Sequence, residues 1–315
     1  MGARVAVLGD KSPPGVDLTG ELQRGVEEGG GALVAAAEAE AIVWIDPADP
    51  DGLKRALGES PARWVQLPFA GIEPFVAAGV LDPDRAWTCA KGIYGESCAE
   101  HALAFMLVAA HRMHIHLRAK RWIADEEKVH ERRFHANATV AIVGTGGIGQ
   151  SLARMLQPFE VRVLASNRSG RPLEGAERTV PADGLPEILG EADFVVLATA
   201  LTDATRGMFD AAMLAHMRPH AWLCNVARGG LVDTDALVEA LRSGALGGAA
   251  LDVTDPEPLP EAHPLWSFEN ALVTPHVANT WVMGAPALRA MVARNVARFA
   301  AGEELEGRVD PALGY

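Results

Sequence analysis

A glycine-rich loop between two apolar runs is the feature of this sequence that most constrains the fold. The first run covers 140–143, the loop has the pattern G-x-G-x-x-G, a helical pattern follows, and the second run covers 161–165. In such a unit the first glycine permits a tight turn, the second lets backbone N–H groups approach a pyrophosphate, and the third lets helix and strand pack closely. The helix directs the positive end of its dipole at the same phosphates. The pattern therefore predicts a dinucleotide-binding unit with the loop residues Gly144, Gly146, Gly147, Ile148 and Gly149.

The turn after the second run indicates which dinucleotide is preferred. An acidic residue near this position usually hydrogen-bonds the ribose hydroxyls of NAD. No Asp or Glu occurs between 161 and 173, where the turn reads Asn167-Arg168-Ser169 and Arg171 follows. A carboxylate would repel a 2′-phosphate, whereas a guanidinium binds one through charge-assisted hydrogen bonds. We therefore expect Asn167, Arg168 and Ser169 to contact NADP(H), with NAD(H) as a second candidate; the alternative is that both arginines are solvated loop residues.

Composition and charge exclude several classes of partner. The 315 residues are 49% hydrophobic and 22% charged, which suits a globular chain long enough for two domains. The formal net charge of −13 repels a phosphate backbone, so we expect no nucleic-acid partner. The apolar run at 5–8 is too short for a signal peptide, and the run at 102–110 is too short to span a bilayer. We expect a cytoplasmic protein with no membrane partner.

The cysteines and histidines do not form a metal-binding pattern. The three cysteines have neither metal-ligand spacing nor an even number for disulfides, which favours free thiols in a reducing compartment. Three histidines fall close together at 111, 114 and 116, but no carboxylate or cysteine cluster completes a ligand set. We therefore expect no metal.

Strand-like apolar runs alternate with helical patterns along the chain, which is typical of parallel α/β folds. Before the glycine loop these runs cover 5–8, 41–45 and 64–67, with a helical stretch at 51–57. After the loop they cover 194–199, 221–227, 248–253 and 271–274. Helical spacing of apolar residues predicts one long helix over 96–122 and a final helix over 286–302.

Three polar residues each follow one of the later strands. Arg228 lies in Asn-Val-Ala-Arg-Gly-Gly, Glu257 lies in a proline-rich segment, and His276 lies in Thr-Pro-His. Ligands of open α/β sheets bind beyond the carboxyl ends of the strands, so all three side chains are expected to meet at the dinucleotide crevice.

In these motifs the chain resembles the D-isomer-specific 2-hydroxyacid dehydrogenase family. The glycine loop, Ala-Arg-Gly-Gly-Leu-Val-Asp at 227–233, the Leu-Asp-Val and Glu-Pro runs, and Thr-Pro-His occur in the family's order, and the resemblance covers about 92–285. It implies an α/β fold of two domains. A Rossmann-type doubly wound parallel sheet at 99–283 would be inserted into a smaller flavodoxin-like substrate domain made of 1–98 and 284–315. It also implies a homodimer formed through the helix that starts near Glu96.

The resemblance implies a role for each polar residue. Arg228 would bind the substrate carboxylate with its planar donors. His276 would be the acid–base, giving a proton to the carbonyl oxygen or taking one from the hydroxyl. Glu257 would hydrogen-bond the other imidazole nitrogen, which favours the imidazolium and fixes its tautomer.

Further positions follow from the same resemblance. Asp252 would hold the nicotinamide amide, and a substrate loop would use backbone N–H groups of Phe69, Ala70 and Gly71. The alternatives of facing the substrate or packing stay open for Tyr94 and Trp281. Other residues expected to line the dinucleotide are Ala200, Leu201, Thr205 and Ala227.

Taken together, the sequence predicts an oxidoreductase that transfers a hydride between NADP(H) and a small D-2-hydroxy acid or 2-oxo acid. Glyoxylate, hydroxypyruvate and pyruvate are the candidate 2-oxo acids, and reduction is the expected direction. One alternative is a phosphite dehydrogenase-like enzyme, since such enzymes can keep all three polar residues. The other is a non-catalytic dinucleotide-sensing binding protein.

Overall fold

The computed structural model describes residues 2–9, 12, 15–128 and 132–311. The chain divides into two compact units, the first made of 1–94 and 279–315 and the second of 95–278. The sequence placed these boundaries at 98 and 284. The outermost positions of the expected substrate domain, residues 1 and 312–315, lie outside the described residues.

The first unit contains a parallel five-stranded sheet. Its strands, numbered along the chain, are β1 (Arg4–Leu8), β2 (Ala32–Leu33), β3 (Ala41–Trp44), β4 (Trp64–Gln66) and β5 (Ala86–Thr88). The strand order β2-β1-β3-β4-β5 is that of a flavodoxin-like sheet, as predicted. Strands β3 and β4 are fully buried, because the inner strands of a parallel sheet are covered on both faces.

Four α-helices lie in the described part of this unit. They are α1 (Leu18–Glu28), α2 (Pro50–Gly58), α3 (Glu73–Ala77) and α10 (Trp281–Ala301). Helices α1 and α10 pack closely, since a Cβ on Gly29 would lie 2.4 Å from the carbonyl oxygen of Ala293. The final helix was predicted to begin at 286; it begins at Trp281, and Pro286 lies inside it.

The second unit contains a parallel seven-stranded sheet. Its strands are β6 (Thr139–Val143), β7 (Arg162–Ser166), β8 (Arg178–Val180), β9 (Phe194–Leu197), β10 (Trp222–Asn225), β11 (Gly248–Leu251) and β12 (Ala271–Val273). The order β12-β11-β10-β9-β6-β7-β8 reverses direction at β6, which confirms the doubly wound Rossmann-type sheet. One apolar core lies on each face of this sheet.

The helices of the second unit are α4 (Gly95–Ala110), α5 (Met113–Ala119), α6 (Gly147–Leu156), α7 (Leu185–Leu189), α8 (Ala211–Leu214) and α9 (Thr234–Ser243). The prediction of a single helix over 96–122 is wrong. Arg112 adopts a left-handed conformation with φ +50°, which ends α4 and starts α5 in a new direction. No helix within the described residues is both long and apolar enough to cross a membrane.

Candidate dinucleotide and catalytic site

The loop between β6 and α6 depends on two glycines for its conformation. Gly144 has φ +104°, and a Cβ there would lie 2.5 Å from the carbonyl oxygen of Ala198. A Cβ on Gly149 would lie 2.2 Å from the carbonyl oxygen of Gly144. Distances this short exclude any side chain, so these glycines make the tight turn and the close helix–strand packing that the motif predicts.

Gly146 has a different reason to be glycine. Its φ is −76°, and a Cβ on it would have no heavy atom of the protein within 4 Å. The space in front of this backbone is therefore open to a ligand. Helix α6 begins directly after it, at Gly147, and no side chain caps its first N–H groups. Open backbone at the positive end of a helix fits the pyrophosphate of a dinucleotide.

The side chain of Asn167 organises the turn after β7. Its Oδ1 accepts hydrogen bonds from the backbone N–H groups of Ser169 and Arg171, both at 3.1 Å. Its Nδ2 donates to the carbonyl oxygen of Arg171 at 2.7 Å and to Thr145 Oγ1, in the glycine loop, at 3.1 Å. Arg168, Ser169 and Arg171 are exposed on this turn. The bond to Thr145, which no sequence pattern indicates, ties the turn to the glycine loop.

The loop after β9 is closed by a threonine. Thr205 Oγ1 donates to the carbonyl oxygen of Ala200 at 2.7 Å and accepts from the N–H of Thr202 at 2.8 Å. Leu201 packs on the core beneath, while Ala200 is exposed. The loop is thus held in one shape by its own hydroxyl group, as in other Ser/Thr turns.

Arg228 follows β10, and its backbone is fixed from two sides. The buried Asn225 side chain donates to the carbonyl oxygen of Arg228 at 2.9 Å and accepts from the N–H of Ala227 at 3.1 Å. A Cβ on Gly229 would lie 2.0 Å from the carbonyl of Thr254, so only glycine lets these two segments touch. One Nη1 hydrogen of Arg228 bonds to the carbonyl oxygen of Ala227 at 2.7 Å. A guanidinium has five N–H donors, enough to bind a carboxylate as well.

Glu257 and His276 form a direct pair. His276 Nδ1 lies 2.6 Å from Glu257 Oε1, and the two side chains are 49% and 43% exposed. An ionised carboxylate only accepts, so Nδ1 carries the hydrogen of this bond. Nε2 is then the nitrogen that can hold or release a proton. Half-exposure leaves the imidazole accessible to a small molecule.

The backbone of His276 is in an unusual conformation. Its φ is +53°, which for a non-glycine residue costs about 1–3 kcal/mol. Asp252 offsets this cost. Its carbonyl oxygen accepts from the N–H of His276 at 2.8 Å, and its carboxylate accepts from the N–H groups of Val277 and Ala278 at 2.8 and 2.9 Å. Asp252 is buried, so it holds the loop 274–278 in addition to any contact with a nicotinamide.

The expected substrate loop lies in the first unit, after β4. The ring of Phe69 packs on Trp281, with centroids 4.6 Å apart, and Ala70 is exposed. The Tyr94 hydroxyl donates to the carbonyl oxygen of Pro68 at 2.9 Å, and burial raises the pKa of this hydroxyl. For Tyr94 and Trp281 the structure therefore shows packing within the unit that also holds Gly71.

No group of three or more His, Cys, Asp or Glu side chains within 2–9, 12, 15–128 and 132–311 is arranged to hold a metal ion. Cys98, near Asp252 and Arg228, is a protonated thiol at neutral pH. Its burial raises the pKa to about 11, Asp252 adds to the increase, and Arg228 opposes it.

Known proteins resemble this chain along most of its length. The family model for the NAD binding domain of D-isomer specific 2-hydroxyacid dehydrogenases matches residues 102–278. An uncharacterized protein of Corynebacterium melassecola is 44% identical over 255 residues, which are 80% of this chain and 84% of that protein. A glyoxylate reductase of Pyrococcus furiosus is 36% identical over 272 residues, 81% of each chain.

A solved crystal structure has the same fold. A D-isomer specific 2-hydroxyacid dehydrogenase of Xanthobacter autotrophicus Py2, in complex with NADPH and MES, superimposes with a TM-score of 0.86. The two sequences are 30% identical, and the superposition covers 100% of both chains. This chain is therefore an oxidoreductase of the D-isomer specific 2-hydroxyacid dehydrogenase family, as its motifs predict.

Proposed function

We propose that the protein reduces a small 2-oxo acid, such as glyoxylate, hydroxypyruvate or pyruvate, with NADPH. The observation that carries this proposal is the His276–Glu257 pair, 2.6 Å apart and half-exposed, in the same unit as a glycine loop open to a pyrophosphate. The similarity to a glyoxylate reductase supports the substrate class. In this proposal the second unit binds the dinucleotide and the first unit supplies the substrate loop at Phe69, Ala70 and Gly71.

Each side chain then has a separate task. Arg228 binds the substrate carboxylate, because a planar guanidinium matches its two oxygens. His276 Nε2 gives a proton to the substrate oxygen, which becomes the hydroxyl of the product. Glu257 stabilises the imidazolium before this transfer and keeps Nδ1 protonated throughout. The dinucleotide, when bound, supplies the hydride that reduces C2. Solvent returns the proton to His276.

The preference for NADPH rests on the turn after β7. Asn167 holds this turn in shape before any ligand binds, and the turn presents Arg168 and Arg171 to solvent with no acidic side chain between 161 and 173. A preformed pair of guanidinium groups suits a 2′-phosphate. The dinucleotide in the structurally similar Xanthobacter protein is NADPH, which supports this choice.

The test is the oxidation of NADPH and of NADH, measured separately with glyoxylate, hydroxypyruvate, pyruvate and a bulkier 2-oxo acid. We expect turnover with a small 2-oxo acid and a higher kcat/KM with NADPH. The double substitution Arg168→Ala, Arg171→Ala should raise KM for NADPH about 10- to 100-fold, since charge-assisted bonds contribute about 1.5–3 kcal/mol, and leave KM for NADH unchanged. Equal use of both dinucleotides would contradict the cofactor preference. Tight dinucleotide binding without any turnover would contradict the enzymatic proposal.

We also propose a homodimer in which a second copy of the chain covers the segment around α5. Leu117 and Trp122 are 73% and 90% exposed, and Met113, on the same helix as Leu117, is exposed as well. Large apolar side chains grouped on one segment mark an interaction surface. Light scattering should give twice the mass of the 33.3 kDa chain. The double substitution Leu117→Asp, Trp122→Asp should give the single mass.

The state of the cysteines supports a proposal for the cellular compartment. Cys89, Cys98 and Cys224 are all free thiols. Free thiols persist in reducing compartments, so we propose that the protein works in the cytoplasm.

A further inference from the structure

Two side chains with no part in the proposed mechanism lie next to Asp252, the residue that holds the loop carrying His276. The hydroxyl of Thr274 is 2.6 Å from Asp252 Oδ1. His101, on α4, places Nε2 3.1 Å from the same hydroxyl and 3.7 Å from the same carboxylate oxygen. The three side chains thus connect helix α4 to the carboxylate that holds the loop 274–278.

The chemistry of these groups fixes the direction of each hydrogen bond. The carboxylate of Asp252 can only accept, so the hydroxyl of Thr274 donates to it. The oxygen of Thr274 is then the acceptor for His101, which must carry its hydrogen on Nε2. Asp252 is buried, and a buried polar group that loses its partner is costly, so each member of this chain depends on the next.

The position of His101 is set by the helix rather than by the loop. Its ring packs edge-on against Phe105, with centroids 4.5 Å apart and an interplanar angle of 78°. Helix α4 packs along α6, and an ion pair between Glu96 and Arg154 joins the two helices. Helix α4 therefore sets the position of His101, and the bond from His101 in turn sets the position of the Thr274 hydroxyl.

We propose that His101 and Thr274 are positioning residues for the acid–base His276. They hold the carboxylate of Asp252 in the orientation that binds the N–H groups of Val277 and Ala278. These bonds keep His276 in its left-handed conformation and its imidazole on Glu257. The inference rests on the proposed function, because it assigns a task to the loop that carries the proposed acid–base.

Matched pairs of variants test this role. Thr274→Val removes the hydroxyl at nearly constant volume, and Thr274→Ser keeps it. His101→Leu removes the donor, and His101→Gln keeps an N–H group that can reach the hydroxyl. We expect Thr274→Val and His101→Leu to lower kcat about 10- to 100-fold, because a displacement of about 1 Å costs about 100-fold. The change in KM for NADPH should be smaller, because the glycine loop stays intact. Thr274→Ser and His101→Gln should keep most of the wild-type kcat.

A matched control is available in the same unit. His114 is a buried histidine that, like His101, packs edge-on against an aromatic ring, that of Trp222, with centroids 5.3 Å apart. Within the described residues, no hydrogen bond or ring contact joins it to the loop 274–278. His114→Leu should therefore leave kcat unchanged. The double variant His101→Leu, Thr274→Val should be no slower than the slower single variant, because both changes break one chain of bonds.

A second measurement does not depend on turnover. In protein labelled with ¹⁵N-histidine, the Nδ1–H of His276 should give a downfield proton resonance that Glu257→Gln abolishes. Thr274→Val and His101→Leu should broaden or shift this resonance, whereas Thr274→Ser, His101→Gln and His114→Leu should preserve it. The signal reports the His276–Glu257 pair even if no 2-oxo acid is reduced.

The outcomes separate the two proposals. If the wild-type protein reduces no 2-oxo acid but the resonance responds as expected, the positioning role stands and the proposed function fails. If His276→Ala abolishes turnover while Thr274→Val and His101→Leu keep both the wild-type kcat and the resonance, the positioning role is overturned. Loss of kcat in all four variants together with His114→Leu would also overturn it, because the effect would then be a general loss of structure.

Discussion

The two units differ in what surrounds their polar side chains. In the second unit, polar side chains follow the strands, and the His276–Glu257 pair is half-exposed on a strained backbone. In the first unit, Gln66, Thr88 and Asn295 are fully buried and bond to one another. The amide of Asn295 donates to Gln66 Oε1 at 3.0 Å, and the hydroxyl of Thr88 donates to the same oxygen at 2.8 Å. In the second unit, buried side chains such as Asn225 and Asp252 hold the loops of the proposed site, whereas in the first unit the buried polar side chains bond to one another within the core.

The largest expected effect comes from removing the imidazole of His276 in the second unit. His276→Ala should lower kcat about 10²- to 10⁴-fold, which is the usual contribution of a general acid–base. The dissociation constant for NADPH should not change, because the glycine loop is intact. Glu257→Gln, which keeps a hydrogen-bonding oxygen but not its charge, should have a smaller effect. An active His276→Ala variant would show that the pair is structural.

The glycine loop allows a second contrast, within one motif. Gly144→Ala should prevent folding of the second unit, because the Cβ would lie 2.5 Å from the Ala198 carbonyl at φ +104°. Gly146→Ala meets no protein atom within 4 Å and should fold normally. It should weaken NADPH binding at least about tenfold, or about 1.4 kcal/mol, because the methyl group occupies the space left for the phosphates. Calorimetry and fluorescence titration measure the two effects. Unchanged affinity in Gly146→Ala would refute the phosphate assignment.

In the first unit, removing a buried polar side chain should affect stability alone. Asn295→Ala leaves Gln66 Oε1 with one bond fewer and removes the partners of the backbone N–H and carbonyl of Glu306. We expect a loss of about 3 kcal/mol in the free energy of unfolding, since buried groups without partners cost about 1–3 kcal/mol each. The kcat of the folded protein should stay at the wild-type value. Glu303→Ala, an exposed change nearby, is the control for the unfolding measurement.

How much could be predicted from the sequence also differs between the units. The second unit has motifs in which a few adjacent residues fix both geometry and chemistry, so its sheet, its glycine loop and the His276–Glu257 pair could be placed in advance. In the first unit the residues alone predicted only buried strands and helical stretches, and the flavodoxin-like layout followed from the family resemblance. The roles of Thr145 and His101 depend on partners far away in sequence, and no local pattern reveals them. The break at Arg112 depends on a backbone conformation that side-chain periodicity does not encode.

The smallest expected effect concerns acid stability in the first unit. Hydrogen bonds from Arg294 to both carboxylate oxygens, at 3.0 Å, hold the pKa of Glu306 below its usual value of 4.5. A carboxyl with a lowered pKa in the folded state stabilises the fold above pH 4.5, and this stability is lost as the pH falls through the folded-state value. Because Glu306 is partly exposed, we expect a contribution below about 1 kcal/mol. Glu306→Gln should therefore lower stability slightly at pH 7 and not at all in strong acid, as urea unfolding at several pH values can measure. An equal loss at every pH would mean that the carboxylate charge contributes nothing and that only its hydrogen bonds matter.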